Sequence, residues 1–198
     1  MTKNLTVKLI NRIKNRFKNF IKRNIMLLVP TLIYDSIEKI PINELKKINV
    51  NTLLIDLDNT LVPWHKNEIP AKIINYLQNL KKEGFKICIV SNALPFRVKK
   101  ISKELNIPYI ALAIKPSTKP LRKAIKLLNS NIENTAIIGD QLFTDVLAGN
   151  RLGIKTIFVK PLAKFELITS KFIRLIEKRI ISYLIKKNYI KKEKKQGV

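Results

Sequence analysis

Several residue types are scarce in this sequence, and each scarcity excludes something. Among 198 residues there is one cysteine and one histidine, and 14 aspartates and glutamates face 39 lysines and arginines. A lone cysteine cannot form an internal disulfide. Cys88 lies inside the apolar run ICIV, so it is expected in the core of a protein kept in a reducing cytosol. His65 has no cysteine or second histidine to complete a zinc site and is expected to be a loop residue rather than to have a direct role. No apolar run reaches the roughly 18 residues that a membrane-crossing helix needs; IMLLVP from Ile25 is far too short. Lysines and arginines interrupt the apolar residues near the N-terminus throughout, so that stretch does not read as a secretory signal. There is no internal repeat and no low-complexity linker.

What is abundant is positive charge. A net charge of +25 points to a polyanionic partner, either nucleic acid or an anionic membrane. Lysine, asparagine and isoleucine are also abundant together, as an AT-rich genome would produce, so charge alone does not decide. With 46 % apolar residues the chain is expected to fold, and its length suits one domain with peripheral segments.

Pattern divides the chain into three. In residues 1–30, apolar residues recur at Leu5, Leu9, Ile13, Phe17 and Phe20/Ile21 with cations between them, and Pro30 ends or bends this amphipathic segment. Residues 31–162 form the expected core. Its strand candidates are TLLIDL from Thr52, KICIV from Lys86, YIALA from Tyr109, TAIIG from Thr135 and KTIFV from Lys155. Between them AKIINYLQNLKKEG, FRVKKISKELN, LRKAIKLLNSN and FTDVLAGNRLG carry helical periodicity. Such alternation predicts an α/β fold, a parallel sheet with helices on both faces, and ligands at the carboxyl ends of the strands. Residues 163–198 return to a basic amphipathic pattern, with Phe165, Ile168, Phe172, Leu175/Ile176, Ile180 and Leu184 in a stripe.

The chemistry is therefore sought where each strand stops. The first run delivers Asp56, Asp58 and Thr60; the second, Ser91 and Asn92; the third is followed by Lys115; the fourth delivers Asp140, with Asp145 five residues on. Two acid clusters, a hydroxyl and a lysine at one sheet edge suit phosphoryl transfer through an aspartyl-phosphate. A carboxylate can approach an anionic phosphorus only where cations neutralise the charge. The acids make an oxygen-rich site for Mg²⁺, Lys115 adds a positive charge, and Asp58 can exchange protons with the leaving group and with water. Lys119, also followed by proline, is assigned to the start of the next helix.

DLDNT, SNA, KP and GDQLFTD, in this order, resemble motifs I to IV of the haloacid dehalogenase-like (HAD) superfamily. DLDNTLVPW, A-x-K-P and GDQLFTDVLAGNRLG resemble its YqeG-like, type IIIA branch, which is similar to phosphatidylglycerophosphate phosphatases. The resemblance covers about Met26 to Pro161. It implies a HAD-like Rossmannoid three-layer α/β/α sandwich with a parallel sheet and basic amphipathic helices at both termini. The short intervals between motifs leave no room for a cap domain. It also implies catalysis by Asp56 and Asp58, phosphate binding by Thr60, Ser91, Asn92 and Lys115, and Mg²⁺ at Asp56, Asp58, Asp140 and Asp145. An aspartate at position 58, where ATPase members carry threonine, implies a phosphatase.

The expected activity is a Mg²⁺-dependent phosphomonoesterase that converts phosphatidylglycerophosphate to phosphatidylglycerol. It would be cytoplasmic and peripherally bound to the inner face of an anionic membrane, because the basic segments carry apolar stripes. The alternatives are a nucleic-acid-end or nucleotide phosphatase, and a basic binding module with a silent HAD core. His65 departs from the acid that follows the tryptophan in the family, and Trp64 itself is expected to pack rather than to face substrate.

Overall fold

Six short aliphatic runs lie side by side in one parallel sheet. The structure is a computed structural model and describes residues 25–163 and 168–190. The strands are β1 (Leu32–Tyr34), β2 (Thr52–Ile55), β3 (Lys86–Val90), β4 (Tyr109–Ile110), β5 (Thr135–Gly139) and β6 (Lys155–Val159). Their order is β1-β6-β5-β2-β3-β4, and every pairing is parallel. The helices are α1 (Ile42–Lys47), α2 (Ala71–Lys82), α3 (Pro95–Leu105), α4 (Lys119–Leu127), α5 (Leu147–Leu152) and α6 (Ile168–Lys186). The amphipathic segment expected before residue 25 and the tail after residue 190 lie outside the described residues.

Strand periodicity sorts the core into two layers. Leu53 and Ile55 of β2 point to one face, where they meet Ile73, Leu77 and Leu80 of α2 and Val98 and Ile101 of α3. Leu54, flanked in register by Cys88 and Ile137, points to the other face, against Leu121 and Ala124 of α4 and Leu152 of α5. Both faces of the central strands are therefore covered, which is why they are continuously apolar rather than alternating. The buried positions of α2 (Ile73, Tyr76, Leu77 and Leu80) follow the spacing of one helical face. A smaller cluster joins Leu28, Leu142 and Phe158 to Ile180 and Ile181, and so seats α6 beside β6.

The intervals between the motifs are as short as expected. From Asp56 to Ser91 the chain builds a loop, α2 and β3; from Ser91 to Lys115 it builds α3, β4 and a loop. No cap is inserted in either, and the sheet edge stays open.

Four local expectations are corrected. The run YIALA is a strand only at Tyr109–Ile110, because Leu112 and Ile114 adopt left-handed backbone conformations (φ 48° and 51°) that leave the sheet. TLLIDL stops at Ile55, where the chain turns away to present Asp56. FTDVLAGNRLG is not one uniform helix: a wide π-type turn over Leu142–Val146 precedes α5. The strand β1 and the helix α1 had no counterpart in the sequence reading, being only three and six residues long.

Gly149 in α5 shows how tightly a helix sits on the sheet. A Cβ built there would lie 2.4 Å from the Thr156 methyl and 2.6 Å from a methyl of Ile137. Replacing an interior helical glycine by alanine ordinarily stabilises, by up to about 1 kcal/mol. Here the clash with both strands reverses the sign: Gly149→Ala is expected to lower stability by about 1–3 kcal/mol, read as a lower urea midpoint at unchanged slope.

Candidate active site

The carboxyl ends of β2, β3 and β5 meet around one buried ammonium group. Lys115 Nζ donates to Asp56 Oδ1 at 2.6 Å, to Asp145 Oδ1 at 2.6 Å and to the Val90 carbonyl at 2.8 Å, which uses all three of its protons. All three side chains are buried, with Lys115 only 5 % exposed. Burial alone would lower the lysine's pKa, but the Asp145 and Asp56 carboxylates raise it above its ordinary value, so the ammonium stays charged. Asp56 shows the opposite balance. Burial pushes its carboxyl up to about 7, against the lowering pull of Lys115 and with Asp145 adding to the rise.

The loop carrying Lys115 is held by Asn92. Its Oδ1 accepts from the Lys115 N–H at 2.8 Å, and its Nδ2 donates to the Lys115 carbonyl at 3.3 Å. The Ser91 hydroxyl accepts from the Ala93 N–H at 3.1 Å. Thr60 is buried in the turn after Asp58, with its hydroxyl unpartnered. Of the four groups expected to touch phosphate, Lys115 is in the acid cluster, Ser91 follows the end of β3, and Asn92 braces the lysine's backbone. The Thr60 hydroxyl has no hydrogen bond to the others.

Asp140 ends the β5 edge fully buried. Its Oδ2 pairs with Arg174, which reaches over from α6 and also donates to the Asp140 carbonyl. Glu177, one turn further along α6, orients that guanidinium at 3.1 Å and accepts from the N–H groups of Leu142 and Phe143 at 2.6 and 3.3 Å. Burial drives the Asp140 carboxyl well above its usual range, with Arg174 opposing. Its Oδ1 has no partner. Asp145 is brought to the site by the wide turn, and its Oδ2 accepts from the Gln141 N–H at 3.2 Å. Glycine is required beside it, because a Cβ on Gly139 would lie 2.2 Å from the Asp145 carboxyl carbon.

Carboxylate oxygens of Asp56, Asp140 and Asp145 lie within 4.8 Å of one another. Three carboxylates that offer hard oxygen donors, one of which also carries an unpartnered buried oxygen, fit a hard divalent cation. Asp58 is outside this group. Its Oδ1 accepts from Arg97 of α3 at 2.9 Å (Nε) and 2.8 Å (Nη2), and the same guanidinium holds Asn67 Oδ1 at 2.6 Å and the Trp64 carbonyl at 3.0 Å. His65 is an exposed loop residue, and Lys119 starts α4. Trp64, expected to pack, is 44 % exposed; its own hydrogen bonds run through its backbone N–H and carbonyl.

A model of the family described as mitochondrial PGP phosphatase matches residues 10–163. The chain belongs to this family. It is 41 % identical over 150 residues to "Probable phosphatase YqeG" of Bacillus subtilis (strain 168), covering 76 % of this chain and 87 % of that one. It is 38 % identical over 89 residues to a phosphoglycolate phosphatase of Aquifex aeolicus (strain VF5), covering 40 % and 41 %. A solved cobalt-bound deoxy-D-mannose-octulosonate 8-phosphate phosphatase (YrbI) from Haemophilus influenzae superposes with a TM-score of 0.48 at 13 % identity, over 69 % of this chain and 90 % of that one. The protein is a phosphatase of this family.

Sequence reasoning missed Arg97, Arg174, Glu177 and the steric role of Gly139. The two arginines lie among many other cations and carry no distinguishing pattern. Glu177 did carry one, being an acid on a strongly basic helix.

The buried pair sets a testable cost. Lys115→Met leaves two buried carboxylates without their cation and is expected to lower stability by about 3–5 kcal/mol, measured by urea unfolding in chelator. Added divalent cation should then raise the midpoint of the variant more than that of the wild type, since it can replace the missing charge.

Proposed function

We propose that the protein is a Mg²⁺-dependent phosphomonoesterase that hydrolyses phosphatidylglycerophosphate through an aspartyl-phosphate on Asp56, at the surface of an anionic membrane. The observation that carries the chemistry is the convergence of Asp56, Asp140 and Asp145 at an uncapped sheet edge, with Lys115 held between Asp56 and Asp145.

In this reading Asp56 attacks phosphorus. A bound Mg²⁺, held by Asp56, Asp140 and Asp145, would neutralise charge between the carboxylate and the phosphate. Lys115 contributes a fixed positive charge beside the nucleophile. Asp58 gives its proton to the departing alkoxide and later takes one from the water that hydrolyses the acyl-phosphate. Both Arg97 contacts fall on Asp58 Oδ1, so Oδ2 is the oxygen assigned to the proton. Ser91 and the neighbouring backbone N–H groups are assigned to the phosphate oxygens, and Asn92 acts by positioning Lys115. Thr60 is assigned to the same turn without a contact of its own.

The lipid assignment draws on the family description and on the terminal segments. Among the described residues no helix is long and apolar enough to cross a membrane. α6 nevertheless exposes Ile173, Leu175 and Tyr183 beside Lys178 and Arg179, a pattern suited to an interface. The expected site of action is the cytoplasmic face.

Phosphate release from phosphatidylglycerophosphate in anionic liposomes is expected to need both Mg²⁺ and Asp56, with chelator or Asp56→Asn reducing it at least ~10³-fold. Cleavage of a generic phosphate ester with this lipid left intact would remove the lipid assignment alone. Deleting residues 1–24 is expected to weaken liposome binding while sparing a small soluble ester; unchanged binding would take the anchor away from that segment.

A further inference from the structure

The mouth of the site is ringed by large apolar side chains that point into solvent. Trp64 is 44 % exposed, Leu94 55 %, Phe96 73 %, Leu112 52 % and Ile114 75 %. Trp64, Leu94, Leu112 and Ile114 sit on the segments that leave β2, β3 and β4, strands that are neighbours in the sheet, and Phe96 sits in the first turn of α3. The loops are joined to one another. The Leu112 N–H donates to the Ala93 carbonyl at 3.2 Å, and Arg97 Nη2 donates to the Trp64 carbonyl at 3.0 Å. The five side chains thus belong to one connected rim rather than to scattered surface positions.

The backbone is bent to display them. Leu112 and Ile114 hold left-handed conformations that a β-branched residue rarely accepts. Between and after them Ala113 and Lys115 turn inward, so exposure alternates along the loop: apolar out, Ala113 in, apolar out, catalytic lysine in. Packing does not need Leu112 and Ile114 to be large, because neither is covered. A contiguous exposed apolar patch of this kind marks an interaction surface.

The charge around the rim identifies the partner. Over residues 64–68, 92–100 and 112–119 the exposed charged side chains are Lys66, Lys99, Lys100 and Lys119 against Glu68 alone. Apolar side chains at loop tips with a cationic surround match the interfacial layer of an anionic bilayer, where hydrocarbon takes the former and headgroups the latter. We infer that Trp64, Leu94, Phe96, Leu112 and Ile114 insert into an anionic lipid surface and seat the open site directly on it. This deepens the lipid-phosphatase reading and rests on it. It differs from anchoring by the terminal segments, because it fixes which way the active site faces.

Trp64 is the only tryptophan in the chain and therefore reports on the rim alone. With the full-length protein and phosphatidylglycerol–phosphatidylcholine vesicles, its emission is expected to shift to the blue and to be quenched by brominated acyl chains. Pure phosphatidylcholine vesicles should give a much weaker response. The double variant Leu94→Ser/Phe96→Ser removes exposed side chains only. It is expected to lower partitioning at least tenfold and to lower turnover of vesicle-embedded substrate in step, while hydrolysis of a small soluble phosphate ester stays within twofold. Vesicle binding with an unshifted Trp64 would overturn the inference and leave docking to the terminal segments. An unchanged double variant would overturn it as well. Insertion without any lipid hydrolysis would keep the rim and remove the substrate assignment, so the two failures are distinguishable.

Discussion

The whole site depends on one buried ammonium group held between two carboxylates. Lys115 Nζ at 2.6 Å from both Asp56 and Asp145 is what allows two acids to lie side by side at the end of an apolar sheet. Buried ion pairs of this kind are poor sources of stability, since desolvation consumes much of the attraction. Their value lies in fixing the Asp56 carboxylate, the nucleophile of the proposed reaction, beside a positive charge held by three hydrogen bonds. Several otherwise odd features serve that placement. The third loop leaves the sheet early and takes two left-handed turns, Asn92 brackets the lysine's backbone, and position 139 has no side chain to push Asp145 aside.

Every one of the four acids at the edge is paired with a cation, and the three cations come from different parts of the chain. Asp56 and Asp145 share Lys115, Asp58 takes Arg97 from α3, and Asp140 takes Arg174 from α6. The last pairing stands apart, because the family match ends at residue 163, so Arg174 and Glu177 lie beyond it. The helix that shows the most interfacial character is thus wired by an ion pair to the carboxylate at the end of β5, and by Glu177 to the turn that presents Asp145. Any displacement of α6 would be felt first at Asp140, whose Oδ1 already lacks a partner.

Much of this was legible in the sequence, for a physical reason. A parallel sheet buried on both faces needs continuous aliphatic strands, and the polar residue at which such a run ends is where the site must be. Asp56, Ser91 and Asp140 therefore announced themselves. The strand boundaries did not: YIALA has the composition of a strand, and only the demands of placing Lys115 turn Leu112 and Ile114 out of it. Arg97 and Arg174 were invisible because specificity of pairing leaves no trace in a chain with so many equivalent cations. The exposure of Trp64 was misjudged because an aromatic residue after a strand ordinarily packs. Here its loop is secured through main-chain contacts with Asn59 and Arg97, which leaves the ring without a cover.

An uncapped phosphatase has to solve two problems that a cap would otherwise solve, namely recognising the leaving group and limiting water around a charged transition state. In this chain, nothing between the motifs can fold over the site. The elements that border it are three short loops with apolar tips and a basic surround. The backbones of those loops are tied to each other and to Arg97. In the proposed reading the site is closed against another surface, one that is apolar within and anionic without. The charge of the chain fits this geometry: Asp56, Asp140 and Asp145 lie buried around Lys115 at the centre, and the chain as a whole carries a net charge of +25. In the proposed reading, an anionic surface is drawn to the protein as a whole, while Lys115 supplies a positive charge at a fixed position beside Asp56.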